Sequence, residues 1–473
     1  MLENWLVGNV ISILKSGKKK CDKGNYRGIT LLNILGKIFE RLMLNRWIPT
    51  FRQLDIPNEF QFAYQENKIS VLSSFVLQEI INYNVERKSK VYCCFLDSAK
   101  AFDTVWLDGL FFKLFNIGMK GKSWRILRKW YDKMRCCVSL NGKLSPLFSV
   151  KQGVRQGGVL SPWLFLCYNN DIPDILKSTG YGLTVDNIYS TSVLVADDLT
   201  LISTQVGGLQ CMINTIENYS NKWRFQFNPG KTVVTFGKTT QMHNLRKVTR
   251  QWYLKGVAIE EKTSWNHVGI TLSGNFSSYE RSVKAAKKGK ASMRALMSAG
   301  IRPGGLNPIC GASMWKSFGI PAMLYGCEVW SNLTETEKEI LNRSSSFAAK
   351  RLQGLCPQTH TAGALGTIGM WTTTGYIDKI KLLFLGSLCR SSPVYLHKQL
   401  FIKRLFQYLT QGCPVALGYV PDIINILKTY NLYSYLDHYL KNCTFPSKSI
   451  WRKIAVDTIN NHEITKWKEE FER

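Results

Sequence analysis

V-Y-C-C-F-L-D-S-A-K-A-F-D, residues 91–103, is the stretch from which the rest of the chain can be read. Residues 91–96 are a short, continuous apolar run rich in aromatic and β-branched side chains, which favours a buried strand over a piece of buried helix. The run ends on Asp97, a carboxylate delivered to the tip of an apolar element. A second stretch behaves the same way: S-V-L-V-A-D-D-L-T-L-I, residues 192–202, reads as two short strands with Asp197-Asp198 at their junction. Taken singly, Asp97 is also what a helix cap looks like, and Asp197-Asp198 what an ordinary hairpin turn looks like.

Around these lie other local signals. Leu32, Leu35, Ile38, Phe39, Leu42, Met43 and Trp47 recur at helical spacing. Helices are expected over residues 70–85, around Trp124, Leu127 and Tyr131, and from about Leu209 to Trp223. Asn141-Gly142 between two extended stretches predicts a hairpin, because both turn positions need φ > 0. Gly157-Gly158 lies in a loop, and Ser161-Pro162 fits an N-cap and first helical position. Asn228-Pro229-Gly230 is a turn before an extended stretch at 232–236. Beyond residue 275 the pattern is helical, broken at Pro303-Gly304-Gly305. The order predicts an α+β core followed by an α-rich tail.

The 473 residues, at roughly 100–200 per domain, suggest about three subdomains. With 45% hydrophobic residues there is enough for a core, which excludes wholesale disorder. Lys+Arg number 62 against 33 Asp+Glu, a net +29, so the expected partner is a polyanion: nucleic acid first, an anionic membrane surface second. Aromatics at 12% offer stacking surfaces for bases. The 13 cysteines show no C-x-x-C spacing, which argues against a zinc ribbon and for reduced core thiols of an intracellular protein, nuclear or cytoplasmic. The longest apolar stretch, 159–168, is too short for a membrane span, and the basic run at 18–20 follows the apolar start, the wrong order for a signal peptide.

Carboxylates crowded at strand ends are costly unless a cation neutralises them. In so basic a chain, with a glycine loop nearby, that pattern suits nucleotidyl transfer or a nuclease. Seven blocks sharpen the choice: N-Y-R-G-I-T-L-L at 25–32 with G-K-I-F-E-R at 36–41, F-L-D-S-A-K-A-F-D-T-V at 95–105, G-V-R-Q-G-G-V-L-S-P at 153–162, V-A-D-D at 195–198, F-N-P-G-K-T at 227–232, H-V-G-I-T-L at 267–272 and I-P-A-M-L-Y-G-C-E-V-W at 320–330. In this order they resemble the reverse transcriptase of non-LTR (LINE-type) retrotransposons: the opening fingers block, motifs A, B, C and D, the primer-grip motif E, and a segment common after it.

The resemblance implies a right-hand polymerase fold: N-terminal fingers at 1–90, an antiparallel palm with motifs A to E at 91–275, a helical thumb at 276–390 and an α-rich extension at 391–473. It implies RNA-directed DNA synthesis with two Mg²⁺, or Mn²⁺ as a substitute, on an RNA template with a DNA primer and deoxynucleoside triphosphates, and no membrane partner. Asp97 and Asp197 would each bind both metals, Asp198 would complete the cluster, and the Ser98 carbonyl would add an oxygen. Phe102, placed at the start of the helix leaving the strand, would be the steric gate beneath the sugar. Gln156 and Gly157 would meet the incoming nucleotide, Arg27 its triphosphate, and Lys231 the pyrophosphate leaving group. Arg281, Lys284, Lys287 and Lys288, at roughly helical spacing, would put positive charge on one face of a thumb helix along a phosphate backbone; a solvated helix face has the same spacing.

Two departures stand out. Val195 replaces the aromatic residue before Ala-Asp-Asp; strand alternation puts it on the face of Asp197, touching the primer end with a smaller side chain. Q-F-A-Y-Q-E at 61–66 lacks the usual glycine and basic residue. No endonuclease or zinc knuckle is recognisable, so the chain reads as the polymerase part of a longer element. The alternative is a non-catalytic, decayed or repurposed nucleic-acid-binding remnant, and a group II intron maturase is a more distant one.

Overall fold

The computed structural model describes residues 5–15, 17–66, 68–237, 251–274, 277–331, 333–410 and 417–472. The strand Val91–Leu96 is buried at every position. It is buried because it is central: its sheet runs Glu260–Glu261, Val233–Gly237, Val91–Leu96, Asp198–Ser203, Ser192–Val195. Cys94 has Leu201 on one side and Val234 on the other, both in antiparallel strands. With both faces covered, no solvent-facing alternation survives in the sequence. The helix Ser70–Glu86, with twelve buried residues, packs on this sheet and on the helices that follow it much later in the chain.

A second sheet, Tyr26–Leu32, Val7–Leu14, Arg135–Leu140 and Lys143–Leu144 with Phe148–Ser149 beside it, lies upstream and downstream of the central strand in sequence. Val7–Leu14 pairs parallel with Arg135–Leu140. That pairing brings together segments more than a hundred residues apart, and the first two strands carried no local signal that revealed them. The Asn141-Gly142 turn has φ of 51° and 77°, as its hairpin requires.

Two local expectations are corrected. The helix Ile34–Gln53 does form, but it buries Gly36, Glu40, Leu44, Trp47 and Phe51. Leu35, Ile38 and Leu42 of the expected apolar stripe are 48%, 50% and 63% exposed. Tertiary contacts choose the face: a Cβ at Gly36 would lie 2.7 Å from the Trp5 carbonyl, and Glu40 turns inward to a partner. That partner is the second correction. The helix Ser161–Asn169 starts one residue earlier than its signal, with Leu160 in the cap position and no side-chain cap of its own. The Glu40 carboxylate accepts from Val159 N at 2.6 Å and Leu160 N at 3.2 Å instead, doing from a distance what a cap does locally.

The hairpin Ser264–His267 with Ile270–Ser273 follows the sheet. The remainder is helical. Tyr279–Ser298 lies against Glu335–Gln353, which opens on a capping box of Thr334 and Glu337. Thr373–Arg390 packs on Tyr419–Thr429 and Lys448–Phe471, so contacts cross the boundary expected at residue 390. The helical part is joined to the helix Ser70–Glu86 by Arg404, fully buried, which pairs with Glu79 at 2.8 Å and Glu86 at 2.7 Å. The described cysteines are all free thiols. No described helix is long and apolar enough to cross a membrane.

Candidate active site

The register places the carboxylates. Leu96 pairs with Leu199, so the next positions, Asp97 and Asp198, stand opposite each other at the end of two antiparallel strands. Both are half-buried and border one cavity of ≈ 40 Å³, whose other side is His267 and Val268 of the later hairpin. Asp197 occupies the turn between Val195 and Asp198. Its predecessor, Ala196, has φ of 57°, a left-handed conformation costing a non-glycine residue ~1–2 kcal/mol.

Gln61 holds this turn. Its buried amide oxygen accepts from Ala196 N and from Ala63 N, each at 2.9 Å. The backbone around it completes the clamp: Leu194 N donates to Phe60 O and Phe62 N to Leu194 O, both at 2.9 Å. Sequence reasoning missed Gln61, because 61–66 stood out only for the glycine and basic residue it lacks and nothing in its spacing announces a partner at position 196. Gln61→Leu is expected to leave the Ala196 N–H without its acceptor, a loss of about 1–3 kcal/mol. It should appear as a lower melting temperature and slower nucleotide addition with nucleic-acid affinity retained; an unchanged rate would show that the turn holds itself.

Val195 is 9% exposed and pairs with Asp198 across the hairpin, so it shares the face of that carboxylate; the chain leaves strand geometry at Ala196, so strict alternation with Asp197 stops there. The aromatic ring near Asp197 belongs to Tyr64. Burial raises its hydroxyl pKa and the Asp197 charge raises it further. Tyr64 also meets Phe102 edge-on, ring centroids 6.2 Å apart.

Phe102 lies in a turn, not on a helix; the next helix starts at Leu107. Its ring stacks on Phe165 at 4.8 Å and 11°, and its carbonyl accepts from Val154 N at 2.8 Å. The loops of motifs A and B are thereby one unit. Gln156 Nε2 donates to Asp103 Oδ1 at 3.1 Å, and the Gln156 carbonyl accepts from Thr30 N at 2.7 Å. Gly157 has φ of 120°, and a Cβ there would lie 2.5 Å from the Thr30 carbonyl. The close approach that demands glycine is thus that of the Tyr26–Leu32 strand. On that strand Arg27 is exposed, opposite Ile13. Burial raises the Asp103 pKa, while the Gln156 hydrogen bond and then the charges of Lys100 and Lys15 oppose it. Those two lysines therefore face the same loop, and neither was singled out in the sequence.

Ser98 bridges to Phe227, and Asn228 N donates to the Asp97 carbonyl at 2.9 Å. This brings the turn Pro229–Lys231 to the carboxylates; the Lys231 side chain lies outside the described residues.

The four basic residues of Tyr279–Ser298 do not form one exposed face. Lys287 and Lys288 are exposed, and Lys284 is tied to Glu280 at 2.8 Å. Arg281 turns inward: its guanidinium lies 5.5 Å from the Trp330 ring, donates to Ser278 Oγ at 2.5 Å and reaches the Thr271 carbonyl at 3.5 Å. Burial lowers its pKa to about 10. Between this helix and the 264–273 hairpin runs a groove of ≈ 550 Å³ bordered by Lys262, Trp265, Lys287, Lys288 and Tyr325.

Among the described residues, no group of three or more His, Cys, Asp or Glu is arranged to hold a metal ion. The smaller set of Asp97 and Asp198, opposed across one cavity, fits a hard divalent cation that takes one or two protein carboxylates and completes its shell with water and substrate phosphates.

Opposed aspartates at the end of the central sheet, the joined loops at Phe102 and Val154, and a basic groove beside the later hairpin are the parts that a right-hand polymerase fold brings together. Residues 14–272 match the reverse transcriptase (RNA-dependent DNA polymerase) family, and the chain belongs to it. Membership implies divalent-metal dependence in general, and a nucleic-acid template with nucleotide substrates. The chain is 26% identical over 354 residues to the RNA-directed DNA polymerase from mobile element jockey of Drosophila funebris, covering 73% of this chain and 37% of that protein. It is 28% identical over 360 residues to the jockey polymerase of Drosophila melanogaster, covering 74% and 37%. The probable RNA-directed DNA polymerase from transposon BS of the same fly is 25% identical, covering 69% and 36%. The chain thus spans little more than a third of the length of these curated relatives. A solved apo telomerase from Candida tropicalis aligns over 96% of this chain and 70% of that one at 12% identity and a TM-score of 0.43, too distant to bear on the site.

Proposed function

We propose that this chain is the polymerase part of a non-LTR retrotransposon and carries out RNA-directed DNA synthesis, adding deoxynucleotides to a primer 3′-OH on an RNA template. The observation that carries the reading is the placement of Asp97 opposite Asp198, with Asp197 in the adjoining turn, inside a reverse transcriptase domain. Asp97, Asp197, Asp198 and the Ser98 carbonyl would hold two Mg²⁺, or Mn²⁺, which supply charge neutralisation and a more acidic hydroxyl. The protein's own part is positioning. Gln61 and the residues beside it keep the carboxylate turn in place, and the joined loops of motifs A and B form the wall where a nucleotide would sit. Gln156, Gly157 and the exposed Arg27 border that wall on the side of the Tyr26–Leu32 strand, and Lys231 follows the turn at Asp97 as the proton donor to pyrophosphate. Residues 1–90 serve as fingers, 91–275 as palm, 276–390 as thumb and 391–473 as an extension. Lys284, Lys287 and Lys288 serve the phosphate backbone, and Arg281 supports them from within. The setting is intracellular, nuclear or cytoplasmic.

Primer extension on an RNA template with Mg²⁺ and then Mn²⁺ tests the reading. Duplex binding without extension in either metal would replace it with the non-catalytic remnant. Sugar choice gives a second test. Phe102 is a half-buried ring backed by Phe165, so it cannot retreat from a 2′-OH. Phe102→Ala is expected to raise ribonucleotide incorporation by ~10-fold or more, the equivalent of ~1.4 kcal/mol in discrimination. An unchanged deoxy-to-ribo ratio in an active variant would reduce Phe102 to a packing residue.

A further inference from the structure

The segment I-P-A-M-L-Y-G-C-E-V-W at 320–330 has no role in the site so far. It is the short helix Ile320–Leu324, a reversal at Tyr325 and Gly326, and the turn Cys327–Val329. Gly326 is left-handed at φ 77°, and a Cβ there would lie 2.5 Å from the Ile270 side chain. The segment is therefore pressed against the 264–273 hairpin, with Cys327 fully buried behind it and Trp330 beneath the Arg281 guanidinium.

That hairpin has an unusual turn. His267 pairs with Ile270, leaving a two-residue loop of Val268 and Gly269 with φ of 50° and 85°. Two-residue loops with both φ positive prefer Asn-Gly. A β-branched residue there is a genuine outlier, with a cost of ~1–3 kcal/mol that persists only if the surroundings over-determine it. Val268 packs against the core on one side, its neighbour His267 is held by Ser74 at 2.8 Å, and Tyr325 closes the turn on the other side. Its hydroxyl donates to the Val268 carbonyl at 3.2 Å, and its ring covers Gly269 so closely that a Cβ would come within 3.0 Å of it. The turn also separates two spaces. Val268 borders the ≈ 40 Å³ cavity shared with Asp97 and Asp198, while Gly269 and Tyr325 border the ≈ 550 Å³ basic groove. A strand lying in the groove would reach the carboxylates past this turn.

We propose that Tyr325 is a positioning residue for the 3′ end of the nucleic-acid strand held in this groove, acting by clamping the strained Val268–Gly269 turn. The inference rests on the polymerase reading and assigns the 320–330 segment to the same site. The strain makes it separable from simple packing: if the clamp exists to hold Val268 in a left-handed conformation, a residue at ease there removes the need for it.

The experiment is a double-mutant cycle in the full chain with Tyr325→Phe, which keeps the ring and removes the hydroxyl, and Val268→Asn, which tolerates the left-handed conformation. One hydrogen bond of ~1 kcal/mol predicts a change of about 5-fold. Tyr325→Phe should raise KM for primer–template by about that factor with nucleotide KM unchanged, and speed amide exchange across residues 264–273 to match. In the Val268→Asn background both effects should vanish. Primer–template binding to the unaltered protein should protect the same amides. Unchanged exchange in Tyr325→Phe, equal losses in both backgrounds, or no protection by primer–template would each overturn the proposal. If the unaltered protein binds duplex but does not extend it, the polymerase reading fails, and the exchange measurements still decide the clamp and its contact with the strand.

Discussion

Asp197→Asn is expected to abolish nucleotide addition, by at least ~10³-fold or about 4 kcal/mol of transition-state stabilisation, and to leave duplex affinity within about twofold of the unaltered protein at matched salt. Asparagine keeps the shape of the side chain and removes the charge. The turn that carries it survives, because its clamp is the Gln61 amide on Ala196 and not the Asp197 carboxylate. Affinity is expected to survive because the proposed binding surface is the strongly basic chain, at net +29, and the groove along Lys287 and Lys288. Single-turnover extension and filter binding on the same preparations read the two effects. Extension at more than a tenth of the normal rate would mean that Asp97 and Asp198 suffice; joint loss of extension and binding would mean that the substitution unfolds the site.

Arg404→Leu is expected to cost about 3–5 kcal/mol of stability, because it strands two buried carboxylates. Glu79 is 1% exposed and Glu86 12%, and Arg404 also donates to Gln407 at 2.9 Å and to the Leu417 carbonyl at 3.0 Å. Glu79 has a second duty, accepting from Tyr419 N at 2.8 Å. The cluster joins the helix Ser70–Glu86, which backs the central sheet, to helices more than three hundred residues later. Losing it should lower the denaturation midpoint and free the C-terminal helices to proteolysis before the sheet is cut. The triple change Arg404→Leu, Glu79→Leu, Glu86→Leu should recover much of the loss, since a buried ion cluster and an apolar one of equal volume differ little. A single variant as stable as the unaltered protein would show that water reaches the carboxylates.

Much of the central sheet, and one hairpin of the second sheet, were legible because their signals are local. An apolar run of six with an aspartate at its end specifies a buried strand tip in the first, and Asn141-Gly142 specifies a turn in the second through φ alone. The order of the motifs, read as a resemblance, led to the family that residues 14–272 match. The inward face of Ile34–Gln53 misled, because helical periodicity ranks apolar residues while the fold buried Gly36 and Glu40 for contacts with Trp5 and with the start of Ser161–Asn169.

Composition, strand and turn chemistry, and the positions of Asp97, Asp197 and Asp198 in chain order are properties of the sequence, and no folding is needed to read them. The tertiary structure alone made Gln61 the support of Ala196, sent Val195 into the core and Tyr64 to Asp197, turned Arg281 inward, and set Tyr325 on Val268. The physical reason is common to all of these. A residue's period and propensity report whether it will be buried or turned, but the identity of its partner depends on which distant segment the chain's packing delivers to it.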